Sequence, residues 1–167
     1  MWILAIDPGT TRSGFVITDS LLNILKSGKI ENTSILFEIA RVISERGDVW
    51  LPIEMMKHLG KNVSAGGATF ETCVWIGRFK QFAIDSGLSE DRIKFIYRHE
   101  EKMNLCKTMK ANDKSIRIAL AERFAPGEPN FGKGTKGKPG FFYGVANDAW
   151  QAFAVAVTFY DKITRGE

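Results

Sequence analysis

Ile3-Leu4-Ala5-Ile6-Asp7-Pro8-Gly9-Thr10-Thr11-Arg12-Ser13-Gly14-Phe15-Val16-Ile17 is the stretch on which the reading of this chain turns. An apolar run of strand length ends in a carboxylate, a Pro-Gly turn follows, and a second, alternating β-branched run begins after Arg12. The pattern predicts a hairpin that holds Asp7 at the open end of its first strand. Two roles are open to Asp7 there. It can offer an acid to a ligand at the rim of a core, or it can close an Asx turn with Thr10 or Thr11, a habit of Asp before Gly and Thr.

At 167 residues with 44% hydrophobic composition, the chain has the size of one domain with an ordinary core. A formal charge of +4 and a pI near 9.1 favour a polyanionic partner. Cys73 and Cys106 stand far apart without Cys-x-x-Cys or His-x-x-His spacing, so zinc and disulfide frameworks are disfavoured. Asp7 interrupts the apolar N-terminus too early for a signal peptide, and no run is long and apolar enough to span a membrane. The expectation is a soluble, cytoplasmic protein without a membrane partner.

Outward from the hairpin, residues 2–6, 13–19 and 22–30 read as three consecutive antiparallel strands. Thr33 or Ser34 can cap a helix reaching Arg46, with Ile35, Leu36, Ile39, Ala40, Val42 and Ile43 on its buried face. Val49 to Ile53 is then a short apolar strand ending in Glu54, so the opening pattern repeats: a strand delivers an acid at its end. Residues 55–67 have no period and are expected as a mobile loop that touches substrate. A helix over 68–86 carries Phe70, Cys73, Val74, Ile76, Phe79 and Ala83 on one stripe and Trp75 with Phe82 on a second seam. That seam is either a self-contact of a homodimer or packing under the neighbouring loop.

Residues 92–97 alternate as a strand with Ile93, Phe95 and Tyr97 on one side. After a basic helical stretch, Asn112 or Asp113 caps a helix bearing Ile116, Ile118, Ala119, Leu120 and Phe124, with Lys114 in its first turn. The helix dipole disfavours a cation there, so Lys114 either has a task or simply points into water. Residues 126–144 hold six glycines and three prolines, with Lys133, Lys136 and Lys138 among Phe131, Phe141, Phe142 and Tyr143. They are expected as a long flexible loop whose lysines attract phosphate and whose aromatics offer stacking surfaces to bases. The last helix, over 145–164, is uncharged from Ala149 through Tyr160 and must lie buried, with Asp148 alone in its first turn as a cap or an inward-facing ligand. Three isolated acids at element ends in a basic protein suit metal-assisted phosphodiester chemistry, because hard divalent cations take oxygen ligands and keep substrate phosphate in their shell.

Asp7-Pro8-Gly9 in its hydrophobic hairpin, Ile53-Glu54 closing the fourth strand, and Asp148-Ala149 at the last helix resemble the RuvC-type Holliday-junction resolvases of the ribonuclease H-like superfamily. The likeness covers nearly the whole chain in order, and extends to Lys61-Asn62 and to Asn112-Asp113-Lys114. It implies an α/β fold: a five-stranded mixed sheet, three antiparallel strands and then two parallel, flanked by helices. It further implies two magnesium ions, or manganese, with Asp7 bridging both and Glu54 and Asp148 holding one each, and cleavage of branched DNA leaving a 5′ phosphate. Lys102 and Lys114 match the family's lysines that neutralise the scissile phosphate; Lys57, Lys61, Asn62, Lys133, Lys136 and Lys138 are the expected DNA contacts. A homodimer, which places one site on each of two strands, and a phage or bacterial origin accompany the resemblance.

Two departures stand out. The family offers two acids three residues apart on the last helix, whereas Asp148 is followed by Gln151 and preceded by Val145. Matching Ala149, Ala152, Phe153, Ala154 and Val155 to the family's small-apolar pattern puts Asp148 at the first acid and Gln151 at the second, where its amide could still offer an oxygen or hold a metal-bound water; the opposite register leaves Val145 at the first. After Glu54, Met55, Met56 and Lys57 stand where the family often has a junction-wedging aromatic. A second resemblance links Asp7 to Thr11 with the phosphate loop of actin-like ATPases and sugar kinases, but those proteins need a second lobe for which this length leaves no room. A catalytically inactive DNA-binding relative and an RNA–DNA hybrid nuclease share the fold and remain alternatives.

Overall fold

A computed structural model describes residues 1–56 and 66–167. The chain order is β1 (Trp2–Asp7), β2 (Arg12–Thr18), β3 (Ile24–Glu31), α1 (Asn32–Glu45), β4 (Val49–Met55), α2 (Gly66–Asp85), β5 (Ile93–Tyr97), α3 (Arg98–Cys106), α4 (Asp113–Phe124) and α5 (Ala149–Thr164). The five strands form one mixed sheet in the order β3-β2-β1-β4-β5. β1 to β3 pair antiparallel, and β4 joins β1, and β5 joins β4, in parallel. β1 sits centrally and its period of two sends alternate residues into separate cores. Ile3 and Ala5 face a cluster made with α5, α4 and Phe142, while Leu4 and Ile6 face one made with α1 and α2. α5 lies flat on the sheet because Ala149, Ala152 and Ala156, on one side of the helix, let its backbone approach closely, and all three are fully buried.

Several expectations are corrected. α1 begins at Asn32, so Thr33 and Ser34 lie in its first turn; no side chain caps it. Asn32 is instead buried, because its side chain is committed to the hairpin loop. In α2 the buried stripe is Thr72, Ile76, Phe79 and Ala83. Phe70 and Val74 fall half a turn away from it at about 100° per residue, and are 67% and 60% exposed. Trp75 and Phe82 flank the stripe and pack against the chain's own core. In β5 alternation holds, with Ile93 and Ile96 buried on opposite faces, but Phe95 emerges at the edge of the sheet. On α4, Ile118 is exposed, whereas Asn112 caps as expected by accepting from the Ser115 N–H at 3.0 Å.

The largest correction concerns 126–144. Phe142 has no exposed surface and stacks on Trp150 at 4.3 Å between centroids, and Phe141 stacks on Phe124 at 5.1 Å. A short helical turn at Asn130–Gly132 and a bridge between Gly134 and Pro139 close the segment on itself. It is a packed excursion, and only Tyr143 of its four aromatics stays well exposed. Among the described residues no helix is long and apolar enough to cross a membrane.

Candidate active site

Parallel pairing of β1 with β4 sets Ile6 beside Ile53, so the next residues, Asp7 and Glu54, emerge together at the carboxyl ends of two adjacent strands. Open α/β sheets collect ligands at this edge. The Asp7 carboxyl is pushed well above the usual range, first by burial, then by the charge of Glu54, a hydrogen bond shared with it and the charge of Asp148; Arg98 opposes. Glu54 is also raised by burial, against the pull of Arg98 and of its hydrogen bond with Asp7. Two acids crowded so closely hold a proton between them unless a cation arrives.

Asp148 comes from the turn that starts α5. Gly14, opposite Asp7 in the β1–β2 register, lets that turn approach: a Cβ there would fall 2.5 Å from the Asp148 carbonyl oxygen and 2.8 Å from its Cβ. Asp148 makes no capping hydrogen bond; its Oδ2 pairs with Lys29 Nζ of β3 at 2.5 Å. Thus the three acids expected from sequence are brought to one edge. Asp7 and Asp148 also share a groove of about 510 Å³, bordered by Thr10, Arg12 and Lys29.

The hairpin loop beside Asp7 is clamped from within. The Asn32 Nδ2 donates to the Gly9 carbonyl at 2.9 Å, Ser13 Oγ donates to Asn32 Oδ1 at 2.6 Å, and the Gly9 N–H donates to Ser13 Oγ at 3.2 Å. A phosphate-cradling loop would keep that N–H for its nucleotide; here it is spent internally.

α3 supplies two residues that sequence reading missed. Arg98 Nη1 donates to Glu101 Oε2 at 2.5 Å and to Gln151 Oε1 at 2.6 Å, and Nη2 contacts Asp113. Burial disfavours the Arg98 charge, yet Glu101, Glu54 and Asp113 raise its affinity for protons. Glu101 has no exposed surface, and its carboxyl is raised well above the usual range by burial and by Glu54, against Arg98. The only hint in the sequence is an acid three residues after an arginine, the spacing of a helical ion pair.

Gln151 therefore reaches the site with its oxygen engaged by Arg98. Lys114 is exposed and borders a second groove, about 490 Å³, with Arg117, Phe131, Trp150, Asp148 and Gln151. Phe131 takes a left-handed backbone, φ 56°, and lies over the Arg117 guanidinium at 4.2 Å. Lys102 is half-buried on α3 and lines neither groove; the cations beside the acids are Arg98 and, at Asp148, Lys29. Lys136 and Lys138 are exposed and Lys133 half-buried on the 126–144 excursion. Lys57, Lys61 and Asn62 lie outside the described residues.

Among the described residues, no three acid, histidine or cysteine side chains close into a finished metal cage. The donor set nonetheless fits a hard cation: Asp7 and Glu54 are oxygen ligands whose mutual repulsion a divalent ion would relieve, and Asp148 lies near enough to raise Asp7.

No family model and no curated protein matches the chain. Among solved structures it is similar to Thermus thermophilus RuvC, at TM-score 0.69 and 14% identity over 99% of this chain and 97% of that one. It is also similar to T. thermophilus RuvC in complex with a Holliday junction substrate, at TM-score 0.66 and 14% identity over 98% and 96%. With its five-stranded mixed sheet, its flanking helices and this near-complete superposition, the chain has the RuvC-type, ribonuclease H-like fold.

Proposed function

We propose that this protein is a metal-dependent endonuclease for branched DNA, four-way junctions foremost, leaving 5′-phosphate ends. The observation that carries it is the convergence of Asp7, Glu54 and Asp148 at the carboxyl edge of a RuvC-type sheet. Magnesium or manganese held by these acids would supply Lewis-acid stabilisation of the charge that builds on a phosphodiester. Asp7 and Glu54 would hold the cation, and the clamped hairpin loop keeps Asp7 from drifting. Lys114, at the groove that Asp148 and Gln151 border, neutralises charge on the phosphate in flight. Lys136 and Lys138, with Lys57, Lys61 and Asn62 beyond the described residues and the half-buried Lys133, contact the flanking backbone. Because a four-way junction requires two symmetric nicks, the active form is a homodimer. Its contact is the exposed apolar side of α2 at Phe70 and Val74, since Trp75 and Phe82 are already occupied within the chain.

A second reading, a junction-binding protein that does not cut, has a specific motive: Arg98 and Lys29 already pair with Gln151 and Asp148. One experiment separates the two. Labelled four-way junction, flap, RNA–DNA hybrid and plain duplex are incubated with the protein in magnesium or in chelator, beside the Asp7→Asn variant. Magnesium-dependent nicking of branched forms, lost in the variant, is expected; tight junction binding without cleavage in any metal supports the second reading. Preferential cutting of hybrid or plain duplex overturns the substrate assignment.

A further inference from the structure

Arg98 lies close enough to Asp7 and Glu54 for its charge to act on both carboxyls. It follows β5 directly, and its guanidinium joins α3, α4 and α5 through Glu101, Asp113 and Gln151. Among the described residues Glu101 touches no other cation, and its Oε1 is buried without a hydrogen-bond partner. A carboxylate taken out of water at one helical position is tolerated only if the charge beside it is fixed. Glu101 is thus an anchor that holds Arg98 in place, and an arginine in a protein keeps its proton.

The oxygens on α5 lead to the same conclusion. Position 151 carries an amide, a weaker ligand for a hard cation than a carboxylate, and that amide's oxygen faces the guanidinium at 2.6 Å. α5 thus offers the site one carboxylate, Asp148, and one amide, while α3 brings a permanent cation to that amide. Resting on the metal-dependent function proposed above, we infer that Arg98 supplies the positive charge that a second metal ion would otherwise bring, so that this site binds a single divalent ion, held by Asp7 and Glu54 beside Asp148. Arg98 then meets the phosphate as a fixed positive charge, in a planar fork suited to two of its oxygens.

Counting Mn2+ tests this without reference to turnover. Electron paramagnetic resonance titration of the full chain, alone and with a four-way junction, is expected to find one bound Mn2+ per chain. Gln151→Asp alone should still bind one, because Arg98 pairs with the new carboxylate. Arg98→Gln combined with Gln151→Asp should bind two. Two ions in the unaltered protein, or one in a double variant whose melting curve shows it folded, overturns the inference while leaving a metal nuclease in place. No bound Mn2+ in the unaltered protein overturns the inference together with the function on which it rests. Should the double variant fail to fold, the counts for the unaltered chain and for Gln151→Asp decide.

Discussion

Gly14 and Asp148 are in backbone contact across the sheet, so close that a single methyl group on Gly14 would fall 2.5 Å from the Asp148 carbonyl oxygen. Both partners are held, Gly14 by pairing with Asp7 and with Lys29, and Asp148 by the buried helix behind it. Gly14→Ala must therefore push the start of α5 away from β2. We expect a loss of about 1–3 kcal/mol in stability, as for other overpacked sites. Cleavage should fall at least tenfold while junction binding is retained. Melting curves and nicking assays on the same preparation check both halves, and unchanged cleavage would detach Asp148 from the site.

Asp7→Asn, Glu54→Gln and Asp148→Asn should each abolish cleavage and spare junction binding, because an amide holds a divalent cation poorly but leaves the basic surface intact. Full activity in any one of them removes that residue from the site.

Asp7 also predicts a pH dependence. Its folded pKa is raised, so between the ordinary aspartate value and that raised value the folded state binds more protons than the unfolded chain does. Stability must then fall as pH rises through this window. In chelator, the melting temperature of the unaltered protein should decline from about pH 4 upward more steeply than that of Asp7→Asn. Added Mg2+ should restore it. Parallel curves for the two proteins would show that Asp7 is not crowded by its neighbours.

Lys114 and Lys29 should separate by kinetics. Lys114→Ala is expected to slow cleavage at saturating DNA more than it weakens binding, as the role proposed for Lys114, acting on charge in the transition state, requires. Lys29→Ala removes a half-exposed pair with Asp148, worth at most about 1 kcal/mol of stability. Its effect should appear as an altered Mg2+ requirement. An effect of Lys114→Ala confined to affinity would make it a phosphate contact only.

Phe142→Ala tests the packed excursion. A fully buried ring between Phe124, Trp150 and Phe153 should cost about 3–5 kcal/mol on removal. A flexible loop would lose nothing, so a melting curve that does not move refutes the packing.

How much of this was legible in the sequence follows from the range over which each feature is encoded. β1, β2 and β4, with Asp7 at the end of β1 and Glu54 near the end of β4, are readable because strand alternation and an acid at a strand's end are local signals. The cap at Asn112 was readable for the same reason. Burial at 126–144 was not, because glycine and proline content describes how a backbone turns, not what Phe142 meets across the fold. Arg98 and Glu101 were hidden further: in one dimension α3 is a polar helix, and only the junction of β5, α4 and α5 turns one of its acids inward. The stripe on α2 was misjudged by its width, since Phe70 and Val74 are as apolar as Ile76 and differ only in angle.

The clamp of Asn32, Ser13 and Gly9 has a thermodynamic consequence for whatever reaches Asp7. The loop from Pro8 to Arg12 gives up its conformational freedom when the chain folds, in the same step that docks α1 on the sheet. A ligand arriving there, nucleic acid in the function proposed, thus meets a wall already set, and none of its contact energy is diverted to ordering that wall. The discrimination available on this side of the groove comes from shape, by refusing backbones that do not already match, in contrast to a loop that moulds itself around its partner.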